Sequence, residues 1–368
     1  MRVLMVSKAL VSGTSQRKLE ELARCGAELT LVTPPFWRHD DGSTQVLERL
    51  YTSGYEIVVA PIRFNGKYHL HYYPTLREVF ARARPELVHI DEEPYNYATT
   101  QAMFLAARRQ IPALFFSYQN IYRRYPPPFR QFELYNYRHA AAAIAGNHDA
   151  GEVLKQKGYD GPLYEIPQFG FDTDIYRRDQ PRSPRLPGSR FVLGYIGRLK
   201  EEKGLMTIVE ALAMLPSYCQ AVFIGFGPLQ SALQDRAQEL GVATRVLLHP
   251  GVASGEVPFQ LQEMDVMILP SLTRPQWKEQ FGRTLAEAMA CETPVIGSDS
   301  GEIPNVVGDA GLIFQEGSAE ALSHCVRRLL DEPSLLSDLA ARGRRRVLEN
   351  YTQAHIAQQT YDVYRKIQ

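Results

Sequence analysis

The chain has 368 residues, 45% of them hydrophobic, with 41 Lys plus Arg set against 41 Asp plus Glu. That length allows two domains of ordinary size, each with its own core, and the apolar fraction leaves little room for extended disorder. A formal net charge of zero gives no global field toward a polyanion, which argues against nucleic acid as a partner.

The opening residues, MRVLMVSKALVSGTSQRK, carry an apolar run broken at Lys8, far too short for a bilayer, and read as a first strand. No later stretch approaches the roughly 18 uninterrupted apolar residues of a spanning helix. The expectation is a soluble cytoplasmic protein, at most peripheral on the inner face of the membrane. Cys25, Cys219, Cys291 and Cys325 are scattered, without CxxC spacing or histidines at zinc-like intervals, and predict reduced thiols rather than a metal site.

Short apolar runs then alternate with helix-length segments. RVLMVS, ELTLVT, EIVVAP, ELVHI, ALFFS, AAAIAG and LYEIP are separated by predicted helices such as 14–24, 75–84, 97–110 and 147–157. Apolar strands between helices indicate parallel sheets covered on both faces. Residues 167–190, PQFGFDTDIYRRDQPRSPRLPGSR, interrupt the rhythm with linker composition. A second series follows in FVLGYIG, QAVFIG, RVLLH, DVMILP, TPVIGS and GLIF. The predicted fold class is α/β: two Rossmann-like, doubly wound parallel-sheet domains facing across a cleft, with ligands at the carboxyl ends of the strands. Residues 1–168 make the first domain, 169–190 the linker and 191–352 the second. The tail, 353–368, is apolar at Ile356, Tyr361, Val363 and Tyr364 and is expected to pack back on the first domain as a helix.

Two segments carry the chemistry. GRLKEEKG, Gly197 to Gly204, follows the strand FVLGYI and sets Arg198 and Lys203 where a parallel sheet opens toward its ligand. They suit a diphosphate, Arg as a fork and Lys as a point charge; a solvated charged turn is the plain alternative. EQFGRTLAEAMA, residues 279–290, carries Glu279 and Glu287. On one continuous helix these would stand about 80° and about 12 Å apart. Gly282 and Pro275 instead predict a helix starting near Arg283 or Thr284, with Glu279 in the preceding loop and Glu287 one turn inside. The unpaired first-turn amides, with the hydroxyl of Thr284, make an anion site, to which the helix dipole adds about 0.3 to 2 kcal/mol. The spacing fits a nucleotide sugar, its diphosphate over the helix end, Glu287 on ribose hydroxyls and Glu279 on those of the sugar.

EQFGRTLAEAMACETPVIGSDSGEIPNVVGDAGLIF resembles the E-x7-E donor-binding signature of the retaining glycosyltransferases of family 4, which have the two-domain GT-B fold. The likeness runs on through GYIGRLKEEKGL, FIGFGPLQSAL, HPGV and IPQFGFDTDIYRRD, covers most of residues 163–368, and is weaker in the first half. The resemblance implies a retaining hexosyltransferase, moving glucose from UDP-glucose to a saccharide or lipid-linked saccharide, with GDP-mannose as the nearest competing donor. A non-catalytic subunit that binds a nucleotide sugar is the other class of function. Arg198 and Lys203 would then grip the donor diphosphate, Arg283 and Thr284 would add amides, and Glu287 would bind ribose. Glu279, with the backbone of Phe281 and Gly282, would hold the transferred sugar, and Gly225, Gly227 and Val252 would line the base and ribose pocket. Such a leaving group is stabilised without proton transfer, so no metal or other cofactor is expected. Asp172-Thr173-Asp174 resembles a metal-binding DxD but stands in the linker. GFGPLQ is a poor nicotinamide-cofactor fingerprint, with Gln230 in place of its third glycine and Pro228 intervening.

The first half departs from the family's pattern. Gly13 stands alone in the first strand-to-helix loop, where many members have two glycines, and is the candidate for close approach to the donor phosphates. Gln119 and Asn120 occupy the place of a histidine common in relatives; their amides can hydrogen-bond a sugar and cannot act as bases. Glu92 or Glu93, after ELVHI, would orient an acceptor hydroxyl or else cap the following helix. His89 is expected in the core and His148 at a helix start or on the surface. Between Tyr118 and His139, six aromatic residues (Tyr122, Tyr125, Phe129, Phe132, Tyr135, Tyr137) interleave with Arg123, Arg124, Arg130 and Arg138. This segment suits contact with an anionic bilayer that presents a lipid-linked acceptor, a wall of the acceptor cleft, or core packing. RGRRR, Arg342 to Arg346, reads as a solvated helix face.

Overall fold

The computed structural model describes residues 1–39, 42–168, 170–179 and 189–368. The chain forms two compact units, Met1–Gly170 with Gln353–Gln368, and Phe171–Thr352. The first contains β1 (Arg2–Val6), β2 (Glu28–Thr33), a short antiparallel ribbon of β3 (Phe36–Arg38) and β4 (Thr44–Val46), then β5 (Glu56–Val59), β6 (Leu87–Ile90), β7 (Ala113–Ser117), β8 (Ala142–Ala145) and β9 (Leu163–Glu165). Its seven-stranded sheet has the order β5-β2-β1-β6-β7-β8-β9, all parallel. The second unit contains β10 (Phe191–Ile196), β11 (Cys219–Ile224), β12 (Val246–His249), β13 (Val266–Leu269), β14 (Val295–Ser298) and β15 (Leu312–Phe314). Its order is β12-β11-β10-β13-β14-β15, again all parallel.

Both sheets are doubly wound and Rossmann-like. The strands β6, β8, β10 and β13 are buried at every residue, which their unbroken apolar sequences require of strands covered on both faces. Strand order reverses between β1 and β6 in the first unit and between β10 and β13 in the second, and a doubly wound sheet opens a ligand crevice at the carboxyl ends of such a pair.

The C-terminal helix, Gln353–Ile367, belongs to the first unit. Ile356, Ala357, Val363 and Tyr364 join the core cluster that contains Val3, Met5, Leu19 and Leu22. The Tyr364 hydroxyl and His89 Nδ1 are 2.6 Å apart, and burial, with the Lys18 charge nearby, keeps the His89 imidazole well below its ordinary pKa. The predicted linker falls in part on Phe169 and residues 180–188, which lie outside the described residues. Phe171 and Tyr176 pack into the core of the second unit.

The reading of RGRRR as a solvated face is corrected. In the helix Pro333–Asn350, Arg344 Nη1 donates to the carbonyls of Tyr176 at 2.7 Å and Ala290 at 2.8 Å, and Arg346 Nε donates to Val306 at 2.8 Å. Carbonyls at loop and helix ends need partners, and a guanidinium fork supplies several donors at once. Among the described residues, no helix is long and apolar enough to cross a membrane.

Ile356→Ala empties a fully buried position in the first unit and should cost about 2 to 5 kcal/mol. The measurement is the urea midpoint of that unit followed by circular dichroism; an unmoved midpoint contradicts the packing.

Candidate functional site

In the second unit the chain turns sharply after β10. The Tyr195 hydroxyl donates to the Arg198 carbonyl at 2.8 Å, and Leu199 N–H reaches the Phe226 carbonyl at 2.9 Å, tying this turn to the loop after β11. Arg198 is exposed. Lys203 ends a short 3-10 turn closed by Gly204 at φ 66°. A Cβ at Gly204 would stand 1.9 Å from the Pro270 carbonyl oxygen, so only glycine lets the turn close on the end of β13. Lys203 Nζ then donates to Glu279 Oε2 at 2.7 Å, and Ser271 Oγ donates to the same oxygen at 2.8 Å. The Trp277 ring lies 4.6 Å from the ammonium, and backbone bonds to Arg274 of 2.7 and 3.1 Å hold Trp277 in a tight turn.

The helix Arg283–Ala290 follows Gly282, which lies in the left-handed region at φ 80° and offers no side-chain cap. The first-turn amides of Arg283 and Thr284 therefore have no helical acceptor. Glu287, 5% exposed, accepts from Arg283 Nε at 2.8 Å. Burial pushes its carboxyl above the usual range, partly offset by Arg283 and by a hydrogen bond from Tyr176. Phe281 packs its ring 6.1 Å from Phe171 and 5.4 Å from Tyr351, which anchors the backbone entering this helix. Gly225 and Gly227 lie in the loop after β11, with Gly225 N–H on the His249 carbonyl at 3.0 Å, and Val252 packs against the unit's core. The structure thus joins Lys203 to Glu279 and Arg283 to Glu287. Ser271, Trp277 and Tyr176 enter the same constellation and were missed by the sequence reading, although Ser271, across Pro270 from the apolar run VMIL, stands just past the carboxyl end of a strand.

In the first unit, residues after β1 and β6 line a cavity of about 330 Å³ bounded by Lys8, Trp37, Tyr68, Asp91, Glu92 and Glu93, among others. Ser7 Oγ and Gln168 Nε2 donate to Asp91 at 2.7 and 3.0 Å. Glu92 is ion-paired with Lys8, accepts the Lys8 amide at 3.0 Å and stands 3.6 Å from His71 Nε2. Burial alone would raise its carboxyl, but the charges of Lys8 and His71 hold it at about 2. Glu93 accepts from Ser117 Oγ and Tyr118 N–H, each at 2.7 Å. Burial nevertheless pushes its carboxyl up to about 7. The carboxylates therefore bond within the cavity wall, and the N-cap of the following helix is Asn96, without a side-chain capping bond.

Gln119 Oε1 accepts from Lys157 Nζ at 2.8 Å, and its Nε2 donates to the Ile121 carbonyl at 3.0 Å. Asn120 is buried beside it. Gly13 N–H donates to Glu48 Oε2 at 2.7 Å, so that amide is already engaged. His148 begins a helix capped by Asn147, is exposed, and lies 3.1 Å from Glu165 Oε1. In the basic aromatic segment, the Tyr125 ring lies 4.2 Å from that of Tyr95, Tyr137 is buried, and helix Phe129–His139 packs on the helix Tyr97–Ala107. Tyr122, Arg123, Arg124 and Arg138 remain exposed.

Two doubly wound Rossmann-like units, one with paired cations and carboxylates around a helix N-terminus, have the architecture of the GT-B fold, and comparison with known proteins shows the same fold. Residues 177–346 match the family of glycosyl transferases group 1, and residues 13–166 match the glycosyl transferase 4-like domain. A GDP-mannose-dependent alpha-(1-6)-phosphatidylinositol monomannoside mannosyltransferase of Mycolicibacterium smegmatis is 31% identical over 207 residues, 53% of this chain and 54% of that protein. The alpha-maltose-1-phosphate synthase of the same organism is 31% identical over 232 residues, 56% of this chain and 58% of that protein. The chain thus spans little more than half the length of these curated relatives. Among solved structures, sucrose-phosphate synthase from Thermosynechococcus elongatus aligns at 20% identity with a TM-score of 0.69, covering 100% of this chain and 99% of that one. Anabaena HepE in complex with UDP aligns at 17% identity with a TM-score of 0.73, covering 100% of both chains. These two likenesses concern the fold.

The Glu93 carboxyl, at about 7 in the fold against an ordinary 4.5, favours its protonated form when folded. Its contribution to stability is fully present below pH 4.5 and is lost as pH rises through 7. Glu93→Gln should flatten the pH dependence of the urea midpoint across that window; an unchanged slope contradicts the assignment.

Proposed function

We propose that the protein is a retaining hexosyltransferase whose donor is a nucleotide sugar, UDP-glucose in the first instance, and whose acceptor is a saccharide or lipid-linked saccharide. The observation that carries this reading is the Lys203–Glu279 pair at 2.7 Å beside the uncapped N-terminus of helix Arg283–Ala290, with Glu287 one turn inside. In this reading Arg198, Lys203 and the amides of Arg283 and Thr284 receive the diphosphate. Glu287 takes ribose hydroxyls from Arg283, and Glu279, with the Phe281 and Gly282 backbone, takes hydroxyls of the hexose. Gly225, Gly227 and Val252 lie beside the base.

As the glycosidic bond breaks, negative charge grows on the leaving diphosphate while the sugar becomes oxocarbenium-like. Fixed cations and helix amides stabilise that charge more in the transition state than in the ground state, which is electrostatic catalysis without a proton donor. The reaction is therefore proposed to need no metal. On the acceptor side, Glu92, Glu93, Gln119 and Asn120 bind and orient the acceptor hydroxyl. GDP-mannose is the second donor to consider, favoured by the 31% identity to a GDP-mannose-dependent mannosyltransferase. The exposed Tyr122, Arg123 and Arg124 support peripheral contact with an anionic membrane bearing a lipid-linked acceptor.

Release of nucleotide from UDP-glucose, GDP-mannose and their epimers tests the reading. Turnover or slow donor hydrolysis is expected with at least one donor, with retained anomeric configuration and no loss in chelator. Glu279→Ala and Lys203→Ala should each lower kcat/KM by roughly 10²-fold or more. Absence of release with every donor, or wild-type activity in Glu279→Ala, refutes it; nucleotide binding without release assigns the chain to the non-catalytic class.

A further inference from the structure

The cavity of the first unit has an unusual balance of charge. Lys8, the one lysine among its described lining residues, is bonded to Glu92, with its ammonium 5.5 Å from the Trp37 ring and 5.6 Å from the Tyr68 ring. Lys18, buried and beside Asp91, donates to the Gln168 carbonyl at 3.0 Å. His39 Nε2 shares a hydrogen bond of 3.3 Å with Gln45 Oε1, and His71 is closed in against Glu92. Among the described residues, no ammonium or guanidinium comes within ion-pair distance of Glu93, whose two bonds come from an uncharged hydroxyl and a backbone amide. Lys8 is thus matched to Glu92, Lys18 is held by a backbone carbonyl, and Glu93 has no ion-paired cation among the described residues.

We infer that this cavity admits an uncharged sugar through its hydroxyls and rejects a sugar that carries a phosphate. Hydroxyls donate to the oxygens of Asp91, Glu93 and Gln45, whereas a phosphate brings only acceptors and negative charge. Among the described residues it would find no free cation and would be set beside carboxylates, the kind of mismatch by which binding sites exclude a partner. Trp37 and Tyr68 supply an apolar wall for the ring face of a sugar, and about 330 Å³ is the size of a pocket for one small ligand. The inference rests on the glycosyltransferase reading for its substrate class, and names which acceptors that reading allows.

The chain has two tryptophans, so Trp277→Phe leaves Trp37 as the sole indole reporter in the wall of this cavity. That variant is titrated with glucose, mannose and maltose, and with glucose 6-phosphate and mannose 6-phosphate. At least one uncharged sugar is expected to change Trp37 emission saturably, its phosphorylated counterpart binding at least about tenfold more weakly. Glu93→Gln should narrow that gap, and so should raised ionic strength in the unaltered cavity. Equal or tighter binding of the phosphorylated sugar, or no response to any uncharged sugar, overturns the inference. The readout needs no turnover, so it can fail while nucleotide release stands, or hold while nucleotide release fails.

Discussion

The ion pair between Lys203 and Glu279 is the interaction on which the arrangement before helix Arg283–Ala290 depends. It is partly buried, with side chains 21% and 12% exposed, and so is screened less than a surface pair. Its geometry is set by backbone rather than by the side chains themselves: a left-handed Gly204 brings the Lys203 turn against the end of β13, and Ser271 at that strand end fixes one carboxylate oxygen. Glu279 is thereby held just before an uncapped helix. A cation and a carboxylate poised together can separate onto a ligand that carries both a diphosphate and sugar hydroxyls. Either charge alone would leave the other partly desolvated and unmatched.

The two units use one physical device in two ways. Each has a Rossmann-like sheet whose strand order reverses at its centre, and each gathers its polar side chains at that reversal. In the second unit Lys203 is joined to Glu279, just before the uncapped helix Arg283–Ala290, and the amides of that helix and the ammonium favour an anion. In the first unit Lys8 is paired with Glu92, Asp91 accepts from Ser7 and Gln168, and Glu93 accepts only from an uncharged hydroxyl and a backbone amide.

Much of this was legible in the sequence because it depends on local signals. Unbroken apolar runs marked the parallel strands, and Gly282 with Pro275 placed the helix start near Arg283 or Thr284; it begins at Arg283. What stayed hidden depends on long-range pairing. Tyr176 lies in a stretch of linker composition and reaches Glu287 only through the fold; Trp277 is defined by a tight turn on Arg274. The arginines of RGRRR are spaced like a solvated face, yet Arg344 and Arg346 satisfy carbonyls from remote segments. The basic aromatic segment is largely consumed by packing, since Tyr125 lies against Tyr95 and the Lys157 ammonium sits over Tyr125 at 4.8 Å. The ribbon of β3 and β4 is too short to show a period of its own, and it contributes Trp37 to the cavity wall.

The most direct measurement is calorimetric binding of UDP and GDP, each against its parent nucleoside, to the wild-type protein and to Lys203→Met. The account predicts that one nucleoside diphosphate binds far more tightly than its nucleoside, that added salt weakens it, and that the substitution removes at least about tenfold of the affinity. A diphosphate that binds no better than its nucleoside, or an affinity unmoved by loss of the Lys203 ammonium, would contradict it.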